Sequence, residues 1–201
     1  PGMLYGSIAR APAYGATLVA YDEPAARAVA GVRHVVGMDN AVAVCAETLD
    51  AAWKGRDALN IEWTQGAEPT LSTETVDRDL VSSLDKEGLS ARADGDVTAA
   101  LGEADKQVEV EYHLPYLSHA PMEPMNCTAH VQADRCDIWV PTQMQSRSLD
   151  VAVKITGLKP DQIHVDATYL GCGLGRRART EFVEEAVQIS KATGDPIKVI
   201  W

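Results

Sequence analysis

The stretch Tyr169-Leu-Gly-Cys-Gly-Leu-Gly-Arg-Arg-Ala-Arg-Thr180 constrains the fold more than any other part of the chain. Upstream, Gln162-Ile-His-Val-Asp-Ala-Thr168 alternates apolar and polar residues, the pattern of a half-buried strand. Downstream, Thr180 is placed to cap a helix whose apolar positions are Phe182, Val183, Ala186, Val187 and Ile189, with Gly194 and Pro196 to stop it. Gly171, Gly173 and Gly175 therefore sit between a strand and a helix N-terminus, followed by the pair Arg176 and Arg177. Glycine lets backbone approach a bound group, and free N–H groups at the positive end of a helix favour an anion. The same spacing also fits a plain strand-to-helix turn with solvated arginines. On the residues alone both readings stand.

Composition narrows the alternatives. The chain has 201 residues, 46% of them hydrophobic, enough for a real core. It lacks the apolar run of roughly 20 residues that a membrane-spanning helix needs. A net charge of -11, from 18 Lys+Arg against 29 Asp+Glu, argues against a general nucleic-acid binder, which needs clustered cations. The one dense basic cluster, Arg176, Arg177 and Arg179, lies on the glycine loop and points to a specific anionic ligand. Cys45, Cys127, Cys136 and Cys172 are far apart, and no Cys-x-x-Cys supports a zinc ribbon or an iron–sulfur cluster. Cys45, Cys127 and Cys136 read as small buried residues, whereas Cys172 lies inside the loop. The first and last residues fall in strand-like runs, so a portion of a longer polypeptide is expected.

Read in order, the chain predicts an α+β fold. Strands are expected over Met3–Ala9, Ala16–Tyr21, Val32–Val36, Ala41–Cys45 and Asn60–Thr64. A short helix follows Asp22, and a second, over Thr48–Leu59, is expected to bury Leu49, Ala52 and Trp53. That makes β-β-α-β-β-α-β within residues 1–64. Residues 65–107 are polar and rich in turn signals, with helical patches at Thr73–Leu84 and Asp96–Leu101, and read as a connecting segment. A second unit, 108–201, begins with an alternating strand at Val108–Tyr112 and a proline-broken run, Leu114–Met125. Strands at Cys127–Val131 and Cys136–Val140, a helix at Ser148–Thr156 and the glycine-loop unit complete it. His34 reads as a structural residue of its strand.

Several residues invite chemistry. His119 and Glu123 have a helical metal-ligand spacing, but Pro115, Pro121 and Pro124 argue against a helix, so no metal site is assigned and the loop reads instead as a buried, partly polar pocket wall with Glu123 and His119 hydrogen-bonded. No Gly-x-Ser-x-Gly places a nucleophile. Gln143 follows a strand end, and its amide suits either a turn cap or the orientation of an oxo group. The loop lacks the Gly-Lys-Ser/Thr of a P-loop, and Arg176 stands where a dinucleotide fingerprint needs its last glycine. Some other phosphate-bearing or oxyanionic cofactor remains.

Four stretches together resemble a known family: Met3-Leu-Tyr-Gly-Ser-Ile-Ala-Arg10, Tyr116-Leu-Ser-His-Ala-Pro-Met-Glu-Pro-Met-Asn126, Trp139-Val-Pro-Thr-Gln143 and Gly171-Cys-Gly-Leu-Gly-Arg-Arg177. Their order and spacing resemble the molybdenum-binding subunit of the xanthine dehydrogenase/aldehyde oxidase family, most closely its isoquinoline 1-oxidoreductase beta-subunit-like branch. The resemblance implies an α/β hammerhead domain over 1–64 and the first part of a molybdopterin-binding domain over 108–201. It implies a molybdenum–pterin cofactor in the cytosine dinucleotide form, oxidation of an aldehyde or N-heteroaromatic small molecule, and a [2Fe-2S] small subunit as electron-transfer partner. It also implies a cytochrome c acceptor, and a periplasmic or membrane-associated parent, with a cytoplasmic one as the alternative.

By position, Gln143 resembles the family's glutamine facing an oxo ligand, and Leu174 the site usually held by Phe. Gly171, Cys172, Gly173, Gly175, Arg176 and Arg177 resemble the loop beside the cofactor. Cys172 departs from the pattern by replacing a glycine, and Ala178 stands where purine-oxidising members place a glutamate. The family's catalytic base, in a Gly-x-Gly-Glu motif, has no counterpart here, so these 201 residues alone are expected to be inactive and to hold no cofactor. A non-catalytic α+β interaction module and an unrelated nucleotide-binding domain using the Gly171–Gly175 loop are the rival readings.

Overall fold

The computed structural model describes residues 1–201, and the chain divides into two compact units, 1–68 with 119–201, and 69–118. In the first unit the early elements are β1 (Leu4–Arg10), β2 (Leu18–Ala20), α1 (Glu23–Arg27), β3 (Val32–Met38), β4 (Ala41–Ala46), α2 (Leu49–Asp57) and β5 (Glu62–Trp63). The order β-β-α-β-β-α-β is as the sequence predicts. Asp22 and Thr48 cap α1 and α2 by accepting from the N–H groups of Ala25 and Ala51.

The second unit contains α3 (Thr73–Leu84) and α4 (Val97–Gly102), the two expected helical patches. Ser72 and Thr75 close a reciprocal capping box at the start of α3. The strand expected at Val108–Tyr112 is absent: these residues pair with no strand, and Val108, Val110 and Tyr112 are exposed. Alternation marks a strand only where a ladder partner exists, and none lies alongside.

The first unit resumes with β6 (Asn126–Val131), β7 (Cys136–Val140), α5 (Gln145–Thr156), β8 (Ile163–Ala167), α6 (Glu181–Thr193) and β9 (Ile197–Ile200). One seven-stranded sheet runs β3-β4-β1-β9-β6-β7-β8, with β2 and β5 as a separate pair. β9 joins the early and late strands, parallel to β1 and antiparallel to β6. β7 and β8 are also parallel, with Cys136 opposite Ile163 and Val140 opposite Ala167.

Strand alternation builds two apolar layers. Ala41, Ala43 and Cys45 of β4 join the main core with β6, β7, β9 and the inner face of α6, whereas Val42 and Val44 face a smaller cluster with Ala26, Val35 and Leu59. Phe182, Val183, Ala186, Val187 and Ile189 are all fully buried, as their spacing predicts. Trp53 is not: it is 44% exposed, because α2 turns Ala51, Ala52 and Gly55 to the sheet instead. A Cβ on Gly55 would lie 2.8 Å from Val44 Cγ1, so the helix approaches too closely for a larger side chain there. His34 is structural as expected, its Nε2 lying 2.8 Å from Asp195 Oδ2. Ser190, buried in α6, accepts from the Val131 N–H at 2.9 Å and donates to the Asp195 carbonyl at 2.7 Å, which ties the end of α6 to β6.

Replacing Phe182, the only phenylalanine, with alanine empties the contact between α6 and the sheet. The expected loss is about 3–5 kcal/mol, read as a lower urea midpoint at unchanged slope.

Candidate functional site

The sheet topology brings three segments together. Because β7 and β8 run parallel, the turn after Val140 and the loop after Ala167 leave the same end of the sheet, where open sheets place ligands. The Thr168 N–H donates to the Val140 carbonyl at 3.2 Å, and the glycine loop then passes Pro141-Thr142-Gln143. The end of the irregular run, residues 121–125, lies against its other flank, where the Glu123 N–H donates to the Gly171 carbonyl at 3.0 Å. This run is not helical, and His119 is exposed.

Two of the glycines are bare because side chains occupy their flanks. A Cβ on Gly171 would fall 2.4 Å from Glu123 Cβ, and one on Gly173 would fall 2.7 Å from Gln143 Oε1. Gly175 has a positive φ of 88° and open space beside it. Two side chains also stand in left-handed backbone, Cys172 at φ 81° and Leu174 at φ 51°, both exposed. The N–H groups of Cys172, Gly173, Leu174 and Gly175 donate to no protein acceptor. Successive free N–H groups on such a turn can form an anion-binding concavity.

The arginines divide their work. Arg176 Nη2 pairs with Glu181 Oε1 at 2.8 Å, and its guanidinium lies 5.0 Å from the Trp201 ring centroid. Its buried Nη1 has no partner. Arg10 covers the same ring at 3.9 Å while bonding both oxygens of Glu185 at 2.6 and 2.5 Å. Arg177 is fully buried, and its guanidinium is taken up by protein acceptors: the carbonyls of Cys172 and Glu123 at 2.9 and 2.8 Å, and Glu123 Oε2 at 2.9 Å.

The helix N-terminus does not face the loop as the sequence predicts. A 3-10 turn over Arg176–Ala178 intervenes, Thr180 donates to Glu184 Oε1 at 2.8 Å rather than capping, and Glu181 and Glu184 fill the first turn of α6. The dipole is met by the chain's own carboxylates.

Glu123 is the residue that sequence reasoning undervalued. Partial burial pushes its carboxyl up, but the Gly171 N–H, the Asn126 amide and the charges of Arg177 and Lys198 outweigh this and hold it below its usual range. Its signals in the sequence were its four-residue spacing from His119 and its place in the proline-broken run, neither of which pointed to Gly171. Burial pushes the thiols of Cys45, Cys127 and Cys136 up, Cys45 to about 12 and Cys136 to about 11, so they stay protonated. Cys172 is the exposed thiol. Beside the loop's exit a polar cleft of about 410 Å³ is lined by Arg147, Ala178, Arg179, Thr180, Glu181 and Glu184.

The fold is shared with an oxidoreductase of known structure. A quinoline 2-oxidoreductase from Pseudomonas putida 86 superposes with a TM-score of 0.74 at 18% identity, over 100% of this chain and 31% of that one. The α+β fold is thus shared, and sequence comparison gives the family. The model of the molybdopterin cofactor-binding domain matches residues 83–201, and the chain belongs to that family. It is 29% identical over 211 residues to the isoquinoline 1-oxidoreductase subunit beta of Brevundimonas diminuta, covering 100% of this chain and 27% of the relative. It is 30% identical over 211 residues to a membrane-bound aldehyde dehydrogenase of Gluconacetobacter polyoxogenes named for pyrroloquinoline quinone, covering 99% of this chain and 27% of the relative. The chain thus spans about a quarter of the length of these curated relatives. The resemblance carried by the four sequence stretches is borne out.

Two outcomes follow from this geometry. Cys172→Gly removes a left-handed penalty of about 1–2 kcal/mol and adds the flexibility cost of glycine, about 0.5–1 kcal/mol; a net gain of up to about 1.5 kcal/mol is expected in denaturant unfolding. Because Glu123 is depressed in the folded state, its contribution is present above the unfolded carboxyl value of about 4.3 and is lost as pH falls through the folded value. The Tm difference between the wild type and Glu123→Gln should therefore shrink as pH falls below about 4.3.

Proposed function

We propose that this chain is the part of a molybdenum hydroxylase large subunit that sets one wall of the active site. The observation that carries the reading is the exposed Gln143 amide lying against the bare backbone of Gly173. The free N–H groups of residues 172–175 fit an anionic, oxo-bearing group on this face. When bound, a molybdenum–pterin cofactor supplies two-electron redox chemistry and a route for oxygen from water.

The chain's own residues then orient and exclude. Gln143 offers amide N–H groups to an oxo oxygen without adding charge. The loop from Gly171 to Gly175 presents N–H donors and, at Gly175, an unobstructed face. Leu174, 66% exposed, is an apolar but non-aromatic contact, so a substrate ring has no stacking partner from this loop. Ala178 on the polar cleft supplies no carboxylate, which favours an aldehyde or N-heteroaromatic substrate over a purine. The hammerhead assignment of residues 1–64, with 65–107 as connector and 108–201 as the first part of the cofactor domain, belongs to this reading. So do the cytosine dinucleotide form of the cofactor, a [2Fe-2S] partner subunit, a cytochrome c acceptor and a periplasmic or membrane-associated setting. No helix here is long and apolar enough to cross a membrane.

Metal analysis and pterin fluorescence of the full-length protein, co-expressed with its iron–sulfur partner, test this. Bound molybdenum and pterin are expected. Quinone or nucleotide retained without molybdenum would replace the reading, and a protein holding none of them would favour a non-catalytic module. In the loaded protein, Gln143→Ala should slow turnover roughly a hundredfold, the scale for losing one preorganised donor, with an unchanged melting profile.

A further inference from the structure

Arg177 is the largest fully buried side chain in the molecule, and arginine is seldom buried without a specific reason. Its acceptors come from separate segments. Nε donates to the Cys172 carbonyl at 2.9 Å, within the glycine loop. Nη2 donates to the Glu123 carbonyl at 2.8 Å and pairs with Glu123 Oε2 at 2.9 Å, on the proline-broken run. Nη1 reaches the Pro141 carbonyl at a long 3.5 Å, on the turn after β7.

The backbone of the same residue closes the circuit. The Arg177 carbonyl accepts from the Gln143 N–H at 3.1 Å and from Thr142 Oγ1 at 3.2 Å. Glu123 holds the other end of the loop, accepting from the Gly171 N–H through Oε2 at 2.8 Å and donating its own N–H to the Gly171 carbonyl at 3.0 Å. Thus the residue that fixes the loop also fixes the backbone of Gln143.

We infer that Arg177 is a positioning residue: with Glu123 it clamps the glycine loop, the turn after β7 and the proline-broken run into one unit, and so holds the Gln143 amide against Gly173. Its guanidinium acts inside the protein and does not touch a cofactor. The inference rests on the placement of Gln143 in the site proposed above. Lysine is a poor substitute, because its three-donor ammonium lacks the planar five-donor fork that meets acceptors on separate segments.

The test uses the full-length, cofactor-loaded protein carrying Arg177→Lys. Hydrogen exchange should accelerate at least about tenfold in the segments holding residues 141–145 and 170–176, as local opening is released, while β4 and α6 keep their wild-type rates. Turnover should fall roughly ten- to a hundredfold, the scale of an ångström-level misplacement, with KM little changed. In a Gln143→Ala background the same substitution should add less than about threefold, because residues acting through one another are not additive. Unchanged exchange in 141–145, or a full multiplicative loss in the double variant, overturns the inference. Should Arg177→Lys fail to fold, Glu123→Gln carries the test, with faster exchange expected at Gly171 and unchanged exchange overturning the clamp. A wild-type protein without molybdenum would sink the proposed function alone, since exchange then decides the clamp without turnover.

Discussion

A fully buried guanidinium is tolerable only if its charge is paired and most of its donors find acceptors, and for Arg177 that requirement organises the site. Removing an arginine from water costs several kcal/mol, on the order of a domain's whole stability, unless charge and hydrogen bonds compensate. Here compensation comes from one carboxylate and from backbone carbonyls on separate segments, so the cation is stable only while those segments stay together. An apolar residue of similar size would fill the volume without fixing the register. The geometry around Gln143 is therefore a consequence of charge satisfaction rather than of apolar packing.

That arrangement needs a rigid platform, which the sheet supplies. β9 lies between β1 and β6, so strands from the first and last thirds of the chain share one set of ladders. The parallel pairing of β7 with β8 sends two connections out of the same sheet end, and α5 and α6 cover the face behind them. The functional turn thus sits on loops, but on loops whose anchor points are buried strand ends. Within the loop, Cys172 and Leu174 occupy left-handed positions that glycine adopts without penalty. Their exposure explains how the fold tolerates side chains there: the strain is local, and nothing packed against either residue must move.

Much of the fold was legible in the sequence because the signals were local and periodic. Phe182, Val183, Ala186, Val187 and Ile189 repeat at helical spacing, Ser72 announces the start of α3, and β4 reads as an unbroken run of small apolar residues. Where a partner had to be assumed, local signals failed. Val108–Tyr112 alternates as well as any strand but has no ladder to join, and Trp53 lost the inner face of α2 to the smaller Ala51, Ala52 and Gly55. The helix dipole was credited to a ligand although Glu181 and Glu184, visible in the sequence, already meet it.

The sequence by itself determined the element order of residues 1–64, the glycine loop with its following helix, and the family, because these depend on residue type at fixed spacing. Only the tertiary structure decided that Gln143 lies against Gly173, that Glu123 braces Gly171, and that of two adjacent arginines one turns to Trp201 and Glu181 while the other is sealed inside. The reason is physical: Arg176 and Arg177 have the same charge, length and donors, and their difference arises from which acceptors the parallel strands bring within reach.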